Sequence, residues 1–145
     1  MIARRWIPYF LGLLAWACAD ASGPSAEQST LDLEFTVLES SMQRALGPIL
    51  VQLDASNRLE VEGSFETPCL HYTASAAGLR RTDTLQLTVT AYLPGPLCQT
   101  AIGVLGFNAR FPPLLSGTYH LRVIRAFKSW PWPPQTLVEG TVAIP

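Results

Sequence analysis

The sequence predicts an all-β domain, a single antiparallel two-sheet sandwich of about seven or eight strands, and three observations carry that expectation. Apolar and polar residues alternate with a period of two in four separate stretches, helical spacing never persists past two turns, and Gly, Pro, Ser and Asn cluster between the stretches. A period of two places successive side chains on opposite faces of a strand, so alternation marks strands with one face buried.

Taken in order, Leu31, Leu33, Phe35 and Val37 alternate with Asp32, Glu34 and Thr36, which gives a first strand over residues 31–37. Residues 49–53 form a short second strand. Leu59, Val61 and Phe65 then alternate with Glu60, Glu62 and Ser64, and residues 69–76 follow as another strand. Leu85, Leu87, Val89 and Ala91 repeat the pattern against Gln86, Thr88 and Thr90. Residues 102–111, then Tyr119, Leu121 and Val123 against His120 and Arg122, and finally residues 137–144 complete the set. Ser56-Asn57, Pro94-Gly95-Pro96, Pro112-Pro113 and Ser116-Gly117 cannot easily continue a ladder, so they separate the strands.

Ahead of the strands, the amino terminus reads as an export signal. Arg4 and Arg5 form a positive start, and Trp6 to Ala17 is an apolar run broken only by Pro8 and Gly12. About twelve apolar residues are too few to cross a hydrocarbon core, which needs about twenty, so residues 1–19 are read as a signal peptide. The run Leu13-Leu14-Ala15-Trp16-Ala17-Cys18 resembles the lipobox of bacterial lipoproteins. That resemblance implies an acylated Cys18 as the first mature residue and a membrane anchor. Ala15-Trp16-Ala17 and Ala17-Cys18-Ala19 also fit ordinary A-x-A cleavage, which would release a soluble secreted or periplasmic protein. Residues 20–30, rich in Ala, Ser, Gly, Glu and Gln with Pro24, read as a flexible tether to a domain spanning residues 31–145.

Setting Cys18 aside leaves Cys69 and Cys98, an even number in an oxidising compartment, and a disulfide between them is expected. Closing a loop of about thirty residues stabilises a fold by roughly 3 to 4 kcal/mol in the chain-entropy model. A catalytic thiol or a thiol metal site is the alternative, yet the two cysteines form no C-x-x-C pair.

Composition narrows the function classes. Hydrophobic residues make up 48% and charged residues 14%, so the chain can bury a core. The formal net charge is −1, and without Arg4 and Arg5 it becomes −3, which gives no basic surface for nucleic acid. His71 and His120 are the only histidines, and a zinc site needs at least three protein ligands. Glu60, Glu62 or Glu66 could complete one, but nothing in the spacing demands it, so no metal or cofactor is expected. Glu60 with Glu62, and Asp32 with Glu34, read as solvated strand faces rather than paired acids. No G-x-S-x-G elbow, phosphate loop, H-E-x-x-H or dinucleotide fingerprint occurs, so no enzyme activity is expected.

The stretch Leu114-Leu115-Ser116-Gly117-Thr118-Tyr119-His120-Leu121-Arg122-Val123 resembles the turn-then-strand element of immunoglobulin-like and fibronectin-like modules in exported bacterial proteins, in which a tyrosine opens a late strand. That likeness implies an immunoglobulin-like sandwich. Antibody-type domains carry a tryptophan between their two cysteines, whereas none lies between Cys69 and Cys98. The most distinctive local motif is Lys128-Ser129-Trp130-Pro131-Trp132-Pro133-Pro134 before the last strand. Its prolines fix an extended backbone, which leaves Trp130 and Trp132 either as a binding tip or as a cap over the core. The expected function is a non-enzymatic binding or scaffolding module of the cell envelope. Its partner is an envelope protein or carbohydrate, met through this loop or by strand addition at a sheet edge. An envelope proteinase inhibitor and, more remotely, a hydrolytic enzyme are the alternatives.

Overall fold

Period-two alternation gives nine strands across residues 28–145, the residues that this computed structural model describes. The expected signal peptide, Cys18 and residues 20–27 of the expected tether lie outside the described residues. In chain order the strands are β1 (Gln28–Leu31), β2 (Glu34–Ser41), β3 (Leu50–Leu53), β4 (Leu59–Thr67), β5 (Thr73–Arg81), β6 (Thr84–Tyr92), β7 (Gly103–Arg110), β8 (Gly117–Phe127) and β9 (Gln135–Ile144). They build a five-stranded sheet in the order β1-β5-β6-β8-β9 and a four-stranded sheet in the order β2-β7-β4-β3. The first strand starts at Gln28, three residues ahead of the boundary read from composition.

The inward rows of the two sheets meet in one core. Leu59, Val61 and Phe65 of β4 and Leu105, Phe107 and Ala109 of β7 come from one sheet. Leu85, Leu87, Val89 and Ala91 of β6 and Tyr119, Leu121 and Val123 of β8 face them from the other. Burying an aliphatic or aromatic side chain of this size contributes about 1.5 to 3 kcal/mol, so these four strands supply most of the cohesion. Leu31, Leu33, Phe35 and Val37 are only half-buried and pack at the margin of that core.

Three expectations are corrected. The single strand read over residues 31–37 is two, because the chain leaves the five-stranded sheet after Leu31 and enters the other at Glu34. Alternation is the same in both sheets, so the crossing leaves no mark on the pattern. The sandwich is also not purely antiparallel, since β6 and β8 run parallel, with Leu85 beside Leu121 and Leu87 beside Val123. Between them β7 passes through the opposite sheet and serves as the long crossover that parallel neighbours require. Lastly, residues 69–76 do not form one strand. His71 has a φ of 65°, in the left-handed region, and this breaks the ladder before β5 begins at Thr73.

The parallel pair decides where loops gather. Thr73 lies opposite Tyr92 and Ala91 lies beside Phe127, so the start of β5 and the ends of β6 and β8 share one end of the sandwich.

Candidate functional site

At that end the disulfide joins two loops. Cys69, after β4, is bonded to Cys98, in the connection from β6 to β7, with their Cα atoms 5.6 Å apart. Around it two buried hydroxyls satisfy the backbone of residues 69–72. The Oγ atoms of Thr67 and Ser40 both donate to the Cys69 carbonyl, at 2.9 and 3.3 Å. Ser40 Oγ accepts from the Tyr72 amide at 2.9 Å. Backbone bonds from the Ser40 amide to the Tyr72 carbonyl and from the His71 amide to the Ser40 carbonyl complete the clasp. A buried amide or carbonyl left unpaired is costly, so this clasp fixes where Tyr72 stands.

Tyr72 forms part of the wall of a groove of about 380 Å³, together with Tyr92, Pro96, Cys98, Lys128 and Trp130. Three chain segments meet there, and their backbones are tied: the Lys128 amide donates to the Ala91 carbonyl at 2.9 Å. Between Lys128 and Trp130, Ser129 has a φ of 63°, a left-handed conformation uncommon for serine. The Tyr72 ring is 2% exposed and packs edge-on against Phe127, with centroids 6.0 Å apart. Its hydroxyl makes no hydrogen bond to the described residues and keeps access to solvent, since among them the one side-chain polar atom both buried and without a hydrogen bond is Arg110 Nε. Burial pushes the phenol's pKa upward, so it stays protonated and able to donate. The groove lining contains one charged residue, Lys128, and no carboxylate.

The two indoles of the Trp-Pro-Trp motif separate. Trp130 is 36% exposed and lines the groove. Trp132 lies edge-on over Phe127 at 5.3 Å, and the Arg125 guanidinium sits 5.3 Å from the Phe127 ring centroid and 5.6 Å from that of Trp132. Trp132 thus packs on Phe127 and Arg125, and Trp130 is exposed in the groove. Tyr72 and Tyr92 escape the sequence reading because each ends a strand region. Only the parallel pairing brings them beside Lys128 and Trp130.

The remaining candidates fall elsewhere. His71 Nδ1 pairs with Glu39 at 2.7 Å and His120 Nε2 with Glu139 at 2.9 Å, in different sheets. The bond from His120, and then the nearby charge of Arg122, hold the Glu139 carboxyl below its usual range. Glu34, one of the residues expected on a solvated face, is bonded by Arg58 at 2.6 Å and reached by Arg110 at 3.3 Å, and its pKa is lowered in that order of cause. Glu60 accepts from Asn108 at 2.8 Å and from Gln52 at 3.2 Å, which lowers its pKa as well. Glu34, Glu60, Arg58 and Arg110 form an ion-pair network at the four-stranded sheet. No known family, no curated protein and no solved structure matches the chain.

Proposed function

We propose that this chain is a non-enzymatic binding module of the cell envelope, which captures an extracytoplasmic protein or carbohydrate in the groove between Tyr72, Tyr92 and Trp130. One observation carries the reading. A half-exposed indole and a buried phenol ring whose hydroxyl reaches solvent share a preformed concavity, and its walls are tied by a disulfide and by backbone hydrogen bonds. The disulfide is compatible with an oxidising location, and an acylated Cys18 would hold the module at a membrane, since more than one acyl chain gives stable anchoring. The immunoglobulin-like reading draws support from Tyr119, whose hydroxyl donates to the Leu115 carbonyl at 2.9 Å, as a tyrosine corner does. The parallel β6–β8 pair departs from the usual arrangement of that fold.

The test compares the wild-type protein with Trp130→Ala and Trp132→Ala in affinity capture from native envelopes, with thermal melting measured on each. Trp130→Ala is expected to lose the captured molecule at an unchanged melting temperature. Retention of capture by Trp130→Ala would remove the groove from consideration. Intact-mass measurement on the native protein tests the anchor, because acylation adds mass to a chain that begins at Cys18.

A further inference from the structure

Three kinds of recognition chemistry meet in the groove. Trp130 offers an apolar, polarisable face, the Tyr72 hydroxyl offers a solvent-reachable donor with no partner among the described residues, and Lys128 offers a positive charge. Lys128 is the only lysine of the chain and makes no ion pair among the described residues. With no carboxylate in the lining, its charge is left for a ligand to neutralise.

We propose that the groove takes an acidic saccharide: a sugar ring laid with its C–H face on the Trp130 indole, its hydroxyl oxygens accepting from Tyr72, and its carboxylate bound by Lys128. The proposal rests on the groove being the binding site and names the ligand class. A sugar ring suits it because it is apolar on one face and hydroxylated around its rim. The groove matches that with one exposed indole and with polar atoms of Tyr72, Tyr92 and Ser129 along its walls. A carboxylate suits it because a charge-assisted bond to an ammonium is about twice as strong as a neutral one.

The experiment is calorimetric titration of the full-length chain with a short galacturonic acid oligomer, a neutral galactose oligomer of the same length, and polyglutamate as a non-sugar polyanion. The acidic oligomer is expected to bind at least about tenfold more tightly than the neutral one, the worth of one charge-assisted bond. Lys128→Gln is expected to erase that difference, and Trp130→Ala to abolish both. Tyr72→Phe is expected to weaken both by about fivefold at an unchanged melting temperature, since it deletes a donor that bonds no other group among the described residues. Equal affinity for the two oligomers, or for polyglutamate, would overturn the acidic-sugar assignment. An absence of saccharide binding alongside Trp130-dependent capture from envelopes would overturn the sugar and leave the groove standing. Loss of Trp130 dependence in both assays would overturn both readings.

Discussion

Ser40 is 3% exposed and is the one side chain that bonds both the carbonyl and an amide of the turn at residues 69–72. A serine in the last turn of a strand would ordinarily be read as surface, but here its hydroxyl stands in for missing ladder partners. Replacing it with alanine leaves the Tyr72 amide without its bond and the Cys69 carbonyl with only Thr67. Ser40→Ala is therefore expected to cost about 2 kcal/mol in urea unfolding and to weaken groove binding by displacing Tyr72. An unfolding free energy equal to wild type would mean that water replaces the hydroxyl. The two indoles make a second contrast at this scale. Trp132 contributes an edge-on aromatic contact and a guanidinium stack, so Trp132→Ala is expected to lower stability by about 2 kcal/mol and the melting temperature by roughly 8 °C. Trp130, which packs on no aromatic ring among the described residues, is expected to lose neither when replaced by alanine.

At the scale of strands, β9 shows what the fold leaves unfilled. Its residues Val138, Gly140 and Val142 lie opposite the buried Val123, Leu121 and Tyr119 of β8, on the inward row. Together with Val51 of β3 they line an apolar slot of about 190 Å³ at the open side between the sheets. A Cβ added at Gly140 would have no atom within 4 Å, and its φ is not in the left-handed region. Gly140→Val is accordingly expected to raise stability by about 1 kcal/mol, by reducing unfolded-chain entropy and covering Val51, Val138 and Val142. A lower melting temperature in thermal unfolding would show instead that the slot closes tightly enough in solution to exclude the methyl groups. Strand identity was readable wherever one face is buried: Leu59, Val61 and Phe65, Leu85 to Ala91, and Tyr119 to Val123 all occupy the inward rows that alternation assigns them. What alternation omits is direction and sheet membership. It could not reveal the crossing at Asp32 and Leu33, nor the parallel β6–β8 pair. The groove depends on that pair, so only its loop component, Lys128 to Trp132, and its disulfide were visible beforehand.

Over the whole molecule, the two ends of the sandwich are held by different chemistry. The groove end has the disulfide and the Ser40–Thr67 clasp, whereas the opposite end has the ion-pair network of Glu34, Asp54, Arg58, Glu60 and Arg110. Asp54 Oδ1 accepts from the amides of Arg58 and Ser56, at 3.0 and 2.7 Å, and these bonds lower its pKa ahead of the charges of Arg110 and Arg58. Glu34, Glu60 and Glu139 are lowered too, so four carboxyls release protons more readily in the folded chain than in the unfolded one. Their contribution is complete above the ordinary carboxyl range, near pH 4 to 4.5, and is lost as pH falls through the lowered folded values. The melting temperature is expected to be flat between about pH 5 and 8 and to fall steadily below about pH 4.5. Glu34→Gln is expected to make that fall shallower, because Glu34 is bonded by both Arg58 and Arg110. Salt screens such exposed pairs, so about 0.5 M sodium chloride at neutral pH should reproduce part of the loss. The groove end has no carboxylate in its lining, and its disulfide does not titrate. Thermal melts followed at the single-residue level by NMR at pH 3.5 should therefore show residues 54–60 and 110 loosening while Tyr72 and Tyr92 hold their native environment. Simultaneous loss at both ends would mean that the sandwich unfolds as one unit, with the ion pairs contributing to the stability of the whole rather than to one end.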